Sequence, residues 1–447
     1  MYIDANNLYG FAQKMNLPYG EYTWLPSSQF SKLNFENMTP NQAQGYVIEC
    51  DLIFPPECHE KLNDLPLAPE HMDITYKDLS PYSQNVQSKL LGERKKNHYK
   101  SSKLVTNFNP KPRYVCHYLN LQLYLRLGAK IKKIYNVIRF TQKDYLKPFI
   151  EFASKMRQEA KTKFAQDLWK LIANALYGKF IQDVRKYCNV IFCDSELHLG
   201  RLLKSPYFVD VSKLNERLCI VWMRNERIIL DRLYSVGFTI LELSKNWMYH
   251  VWYDCIKANF GRDAHLILTD TDSFVIKFTN YSKHQVLTKL APIMDFSNFP
   301  RNSHFHSDKN KKVPGLFKDE YPTSLITEAV GVRSKCYYLK IEADPEYASF
   351  VQTQSMSHTV CKGIPMHISN CLPIELYKAC IYSDDTVVTT TMNRIQSKKR
   401  QLKTMSITKR ALASGDDKRY LTCNIHSVPY GSKLSTLKYC YKCNEEK

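Results

Sequence analysis

"LILTDTDSFVIKF", Leu266 to Phe278, is the stretch on which the fold turns. An apolar run, Leu266, Ile267 and Leu268, lies on one side of the polar tetrad Asp270, Thr271, Asp272 and Ser273. On the other side Phe274, Ile276 and Phe278 alternate with Val275 and Lys277, the period of a half-buried strand, so the stretch predicts a β-hairpin. Its bend holds two carboxylates one residue apart, at the ends of strands that enter a core. Anions there cost desolvation free energy unless a cation compensates. Oxygen ligands on a rigid turn suit Mg²⁺, which keeps waters and takes phosphate as a co-ligand. Asp is also an ordinary turn residue, so the hairpin alone leaves both a metal site and a plain Asp-rich turn open.

Three further stretches bear on that choice. "MYIDANNLYGF" has a strand end at Ile3, the carboxylate of Asp4, and a turn into Leu8 and Tyr9. "WKLIANALYGKF" puts Lys170, Asn174 and Tyr177 at i, i+4 and i+7, one face of a helix. A lone Lys on a helix is ordinarily solvated; this one shares its face with Asn174 and Tyr177 beside an apolar set of Leu171, Ile172 and Leu176. "GVRSKCYYLK" places Lys335 and Tyr337 on alternate positions, one face of a predicted strand. With Asp, Lys-Asn-Tyr, Asp-Thr-Asp and Lys-x-Tyr in this order, the chain resembles the family B DNA polymerases. The resemblance is nearest to the protein-primed branch of phages, linear plasmids and Maverick/Polinton transposons. "GFTILELSKNWMYHVWYD", "VPGLFKDE" and "LASGDDKRYL" look like the transposon branch, and the likeness runs from Asp4 to about Gly431.

Composition agrees with a nucleic-acid partner. The 447 residues are 44% hydrophobic and 24% charged, a globular composition, and no run approaches a membrane span. A formal net charge of +20 points to a polyanion, and basic residues interleaved with 30 Tyr and 21 Phe favour nucleic acid over a lipid surface. A merely basic soluble protein is the bland alternative. Fourteen scattered Cys without a signal peptide read as an intracellular, reducing compartment. Lys398, Lys399 and Arg400 are a weak nuclear-localisation candidate. Cys440 and Cys443 form a CxxC which, with Cys423 and His426 nearby, reads either as a zinc site or as free thiols on a tail.

The resemblance implies an α+β right-hand polymerase. The palm starts in residues 1–27. Residues 28–140 would be an insertion gripping a priming protein and duplex, with Arg94, Lys95, Lys96, Lys100 and Lys103 against phosphate. Residues 141–186 would form the fingers, two antiparallel helices from "LKPFIEFASKMRQEAKTKF" and "AQDLWKLIANALYGKFIQDVRK". A second insertion at 187–225, the remaining palm at 226–345, and a thumb with a basic tail at 346–447 complete the plan. Leu241 to Phe260 is expected as a helix with Leu243, Trp247, Val251 and Cys255 on its core stripe, and "HSDKNKKVPG" as a loop touching phosphate. Only three residues precede Asp4, so its strand is expected to fray unless neighbours anchor it. No exonuclease domain, hence no editing, is expected.

The chemistry implied is DNA-directed DNA synthesis by two-metal transfer of deoxynucleoside triphosphates onto a primer 3′-hydroxyl. Asp4 and Asp272, with the backbone carbonyl of Ala5, would hold two Mg²⁺ ions, Mn²⁺ being the alternative, with Asp270 as the auxiliary catalytic carboxylate. Lys170 would reach the triphosphate, with Asn174 beside it and Arg157 and Lys161 taking the remaining phosphate charge. Tyr177, with Gly178 permitting close approach, would pack on the nascent base pair. Tyr9 stands at the steric-gate position that excludes a 2′-hydroxyl. Thr271, Ser273, Lys335 and Tyr337 are assigned to DNA at the primer terminus. Asn7 and Gly10 stand where many members carry Ser and Pro, which leaves the nucleotide contacts of that turn open. Template, primer, nucleotides and a terminal priming protein are the implied partners, with no membrane. Two other functions stay open: an inactive DNA-binding remnant of such a polymerase, and another two-metal enzyme, a nuclease or reverse transcriptase. A nuclease has no need of a nucleotide-gripping helix.

Overall fold

The alternation around Asp270–Asp272 closes as a hairpin, with β11 (Ala264–Thr269) antiparallel to β12 (Ser273–Phe278), strands being numbered along the chain. The computed structural model describes residues 1–91, 98–347, 355–383, 386–398, 401–413, 415–437, 440 and 442–443. β1 (Tyr2–Ala5) inserts between β12 and β13 (Phe317–Asp319), giving a sheet in the order β11-β12-β1-β13. Asp4 stands opposite Ser273 on one side and Lys318 on the other. The strand is therefore anchored: it is hydrogen-bonded along both edges, and Ile3 is fully buried. Burial of such a side chain contributes about 2 kcal/mol, which opposes fraying.

Helix α7 (Tyr234–His250) backs this sheet and continues as a π-helical stretch, Val251–Lys257. It begins earlier than the expected Leu241. Leu243 and Val251 of the expected stripe are buried, but the wider π turns bring Trp252 and Ile256 into the core in place of the half-buried Cys255, with the Trp252 ring 5.9 Å from that of Phe274.

Residues 28–140 are not a detachable insertion. β2 (Leu17–Trp24), β7 (Lys130–Lys143), β3 (Gln44–Ile53) and β6 (Lys111–His117) form one sheet in that order, so boundaries at 27 and 140 cut through it. Ile48, Cys50 and Leu52, with Tyr118, Leu121 and Tyr124 of α3 (Tyr118–Arg126), share one core with Ile3 and Phe274. A common buried face is what ties the two regions together. The boundary at 345 likewise falls inside a sheet of β14 (Ser324–Arg333), β15 (Cys336–Ala343) and β16 (Met356–Cys361).

The hairpin of β4 (Glu70–Thr75) and β5 (Lys100–Val105), with α2 (Pro81–Leu91), is the more peripheral piece. Of its expected phosphate contacts, Arg94, Lys95 and Lys96 lie outside the described residues. Lys100 is paired with Asp73 at 2.8 Å and Lys103 with Asp417 at 3.6 Å, both lysines being open to solvent.

The expected helical pair is present: α4 (Lys147–Glu159) and α5 (Lys163–Phe180) pack through Ile150, Ala153 and Ala173, the two alanines letting the axes approach. Thr162 caps α5 by accepting the Ala165 N–H. Residues 187–225 form a separate three-stranded sheet, β8 (Cys188–Cys193), β10 (Cys219–Arg224) and β9 (Phe208–Lys213), around Cys193, Val221 and Met223. Toward the C-terminus a long hairpin, β17 (Val387–Lys398) with β18 (Gln401–Ala413), is seated on the helix Ile374–Tyr382. Lys399 and Arg400 lie outside the described residues. No helix among the described residues is long and apolar enough to cross a membrane.

Candidate active site

Asp4 sits near the end of β1 and Asp272 in the turn just before β12, the adjacent strand. The Ala5 N–H donates to the Asp272 carbonyl at 2.8 Å, which locks the two ends together. Among the described residues neither carboxylate is ion-paired. Burial pushes the Asp4 carboxyl up to about 7, reinforced by the charges of Asp272 and Glu320 and opposed by Lys318 and Lys170. Burial also raises Asp272, with Asp270 adding to the rise. Two desolvated carboxylates that repel each other lack a cation, and their oxygens are hard donors. The pair fits a divalent ion of the Mg²⁺ or Mn²⁺ type.

Asp270 differs from them because the protein already neutralises it. Lys335 Nζ lies 2.7 Å from its Oδ2. Lys335 reaches it from a turn: Arg333 pairs with Cys336, leaving Ser334 and Lys335 as a two-residue connection with Lys335 at φ +56°. It therefore does not share a strand face with Tyr337, as its spacing predicts. Tyr337 itself is 5% exposed, packed with Val275, Leu339 and Ile341 and stacked on His358 at 6.0 Å. Ser273 is 2% exposed, its hydroxyl 3.4 Å from the Asp270 carbonyl. Both are buried, yet on the face of the sheet that carries Asp4: Asp4 stands opposite Ser273, and Tyr2 opposite Val275, which packs with Tyr337. Thr271 is exposed at the tip of the turn, at φ +65°.

On the opposite side, Tyr9 of α1 (Leu8–Gln13) stacks on Tyr177 of α5, centroids 4.7 Å apart and planes within 13°. Burial, then the neighbouring Tyr9, pushes the Tyr177 hydroxyl up to about 12. Helix α1 is set by Asn7, which adopts φ +41° and accepts the Gly10 N–H at 3.0 Å. A Cβ on Gly10 would lie 2.2 Å from Asn7 Nδ2, so these two residues, where many family members have Ser and Pro, are a matched pair.

Asn7 also lines a narrow pocket with Ser154, Arg157, Trp169, Lys170, Lys312 and Pro314. Three cations converge there and no carboxylate lines it. Burial lowers the pKa of both Arg157 and Lys312. Asn174, expected beside Lys170, does not line the pocket, whereas Arg157 Nε, a donor, is buried without a hydrogen-bond partner. This is the chemistry of an anion pocket. Lys161 is not part of it: α4 ends at Glu159, Ala160 turns extended at ψ 122°, and Lys161 is exposed beyond the helix. Gly178 is exposed, with open space where a Cβ would point.

Lys312 and Lys318 are the functional-site residues that periodicity does not single out. The charge run "KNKK" was the one signal for Lys312. The loop is held in place by the Lys312 N–H donating to Asp295 at 2.8 Å and by Trp247 Nε1 donating to the Gly315 carbonyl at 2.8 Å. Lys318 comes beside Asp4 through strand pairing alone. A separate cavity of about 560 Å³, lined by Tyr2, Val275, Lys283 and Tyr321 among others, contains none of these residues.

A palm sheet carrying two carboxylates and a helical pair presenting Lys170 to them define a right-hand polymerase fold. Among solved structures the chain is similar to Phi29 DNA polymerase complexed with primer-template DNA, at 15% identity, TM-score 0.52, covering 92% of this chain and 57% of that one. An orthorhombic crystal form of the same polymerase matches at 14% identity, TM-score 0.53, covering 92% and 58%. Its ternary complex with primer-template DNA and incoming nucleotide matches at 15%, TM-score 0.52, covering 92% and 57%. The chain thus spans under three fifths of the length of these polymerases. Residues 1–226 match the family model for DNA polymerase type B, organellar and viral, and the chain belongs to that family. No curated protein matches it.

Proposed function

We propose that the chain is a template-directed DNA polymerase core that extends a primer 3′-hydroxyl with deoxynucleoside triphosphates. The observation that carries this reading is the Asp4 and Asp272 couple lying within electrostatic reach of Lys170, which lines a pocket with Arg157 and Lys312. Asp4 and Asp272 would hold the divalent ions, with Asp270, neutralised by Lys335, keeping the turn in shape. Bound there, such ions lower the pKa of the primer hydroxyl and stabilise charge on the pyrophosphate leaving group. Lys170, Arg157 and Lys312 grip the triphosphate and hold its α-phosphate toward the carboxylates. Tyr9, braced by Tyr177, forms the floor under the sugar. Membership of an organellar and viral polymerase family favours replication of a viral-type element, and we extend that reading to a transposon-like element and to a terminal priming protein as a further partner.

Primer extension by the purified chain, with Mg²⁺ or Mn²⁺ and the four deoxynucleotides, tests the reading. Template-dependent extension supports it, and salt-sensitive DNA binding without extension favours the inactive remnant. Tyr9→Ala should raise ribonucleotide use relative to deoxynucleotide by about 10–100-fold, the scale of a lost close contact in a specificity pocket. Unchanged discrimination removes Tyr9 from the sugar site. With a net charge of +20, affinity for mixed-sequence duplex should fall roughly 10³-fold between 50 and 200 mM salt. A flat salt dependence contradicts a phosphate-tracking groove.

A further inference from the structure

Far from the carboxylates, the chain brings together four side chains for which the polymerase reading has no use. Cys423 and His426 lie on a short turn between β19 (Tyr420–Leu421) and β20 (Ser427–Val428), and Cys440 and Cys443 on the segment that follows. We propose that these four residues form a structural zinc site that fastens the C-terminal segment of the chain.

Geometry comes first. The four ligand atoms all lie within 4.8 Å of one another. His426 Nδ1 is 3.3 Å from Cys423 Sγ and 3.4 Å from Cys440 Sγ, and Cys443 Sγ is 3.7 Å from Cys423 Sγ. A tetrahedral ion with Zn–S of about 2.3 Å and Zn–N of about 2.0–2.1 Å requires S···S edges of about 3.8 Å and S···N edges of about 3.6 Å. The spacings match those edges, and 3.7 Å is far beyond the ~2.05 Å of a disulfide.

The backbone also positions a ligand. Cys423 Sγ accepts the N–H of Ile425 at 3.5 Å and of His426 at 3.3 Å, which fixes the sulfur in place within the turn. The Cys-x-x-His and Cys-x-x-Cys pairs each present two ligands from one tight turn. Three thiols and an imidazole select a soft ion and complete its coordination, which makes the site structural, not catalytic. Cys440 is fully buried while Cys443 is exposed, which leaves one side open for metal entry.

The site also has something to hold. Strands of two residues cannot sustain a hairpin alone. Yet this one positions Tyr430 against Ile74, Leu79 and Val105, where its carbonyl accepts the Phe108 N–H at 2.8 Å. Further along, the Lys433 N–H donates to His59 Nδ1 at 3.0 Å. Closing the loop from Cys423 to Cys443 around one ion removes chain entropy that would otherwise release these contacts. The ion closes residues 423–443 into a loop, and that loop presents Tyr430 and Lys433 to residues 59–108.

The inference stands apart from the polymerase reading, and so does its test. The full chain, purified under reducing conditions without chelator, should carry about one zinc by elemental analysis. Exchange with Co²⁺ should give the visible ligand-field and sulfur charge-transfer bands of a tetrahedral thiolate site. Chelation should lower the melting temperature and open the 415–443 segment to protease. Cys443→Ser, at an exposed position, should fold and lose the zinc, while Asp272→Asn should keep it. Protein that emerges without zinc, and neither binds added Zn²⁺ stoichiometrically nor gives Co²⁺ bands, overturns the proposal. So does a Cys423–Cys443 disulfide in the freshly isolated chain, or a Cys443→Ser variant with its full zinc content.

Discussion

Asp272→Asn should abolish primer extension, by roughly 10³-fold or more, while leaving affinity for DNA intact or raised. The loss corresponds to the several kcal/mol of charge stabilisation that a carboxylate-held divalent ion supplies, at about 1.36 kcal/mol per factor of ten. The same substitution should stabilise the metal-free fold. Asp272 is the leading charge that keeps the buried Asp4 carboxyl raised, so neutralising it relieves repulsion. Discounting for partial exposure, the gain is about 1–2 kcal/mol, read as a melting temperature raised by about 1–2 °C in EDTA. The pH dependence has a definite sign. Asp4 titrates near 7 in the folded chain against 3.8 ordinarily, so between those values the folded state binds more protons than the unfolded one. Metal-free stability must then fall as pH rises through that window, and the slope should be reduced in both Asp272→Asn and Asp4→Asn, each of which removes one raised carboxyl. Extension that survives the substitution, or a variant less stable in EDTA than the parent, would remove this pair from the metal site.

Lys170→Ala should lower kcat/KM for the incoming nucleotide by about 10²–10³-fold, the usual consequence of deleting one donor aimed at developing charge. Affinity for duplex at fixed salt should change by less than about twofold, because the pocket Lys170 shares with Arg157 and Lys312 is too narrow for duplex. Lys170→Arg should recover part of the loss, since the charge returns with a different fork. Steady-state extension beside a filter-binding or anisotropy titration separates the two effects. Parallel losses in nucleotide use and DNA affinity would make Lys170 a general phosphate contact, not a triphosphate ligand.

The hairpin and the finger helices were legible because their signals are local. Alternation over Phe274–Phe278 and the i, i+4, i+7 spacing of Lys170, Asn174 and Tyr177 each concern residues that one element must present together, whatever packs against it. Where spacing crossed an element boundary, it misled. Lys335 and Tyr337 are two apart, yet a turn at Ser334–Lys335 separates them; Arg157 and Lys161 are four apart, yet α4 ends between them. The burial of Ser273 and Tyr337 was hidden too, because how far one face of a strand is covered depends on the sheet that packs over it.

By itself the amino-acid sequence determined the turn that carries Asp270 and Asp272, the helix that carries Lys170 and Tyr177, and the excess positive charge, all set by short-range periodicity and composition. Only the tertiary structure decided that β1 is clamped on both edges, and that residues 28–140 share the palm's core. It also decided that Lys312 and Lys318 join the site, and that Cys423 and His426 meet Cys440 and Cys443. Each of these depends on pairing and burial between segments distant in the chain, and no local pattern encodes which distant surface will cover an apolar face or complete a ligand set.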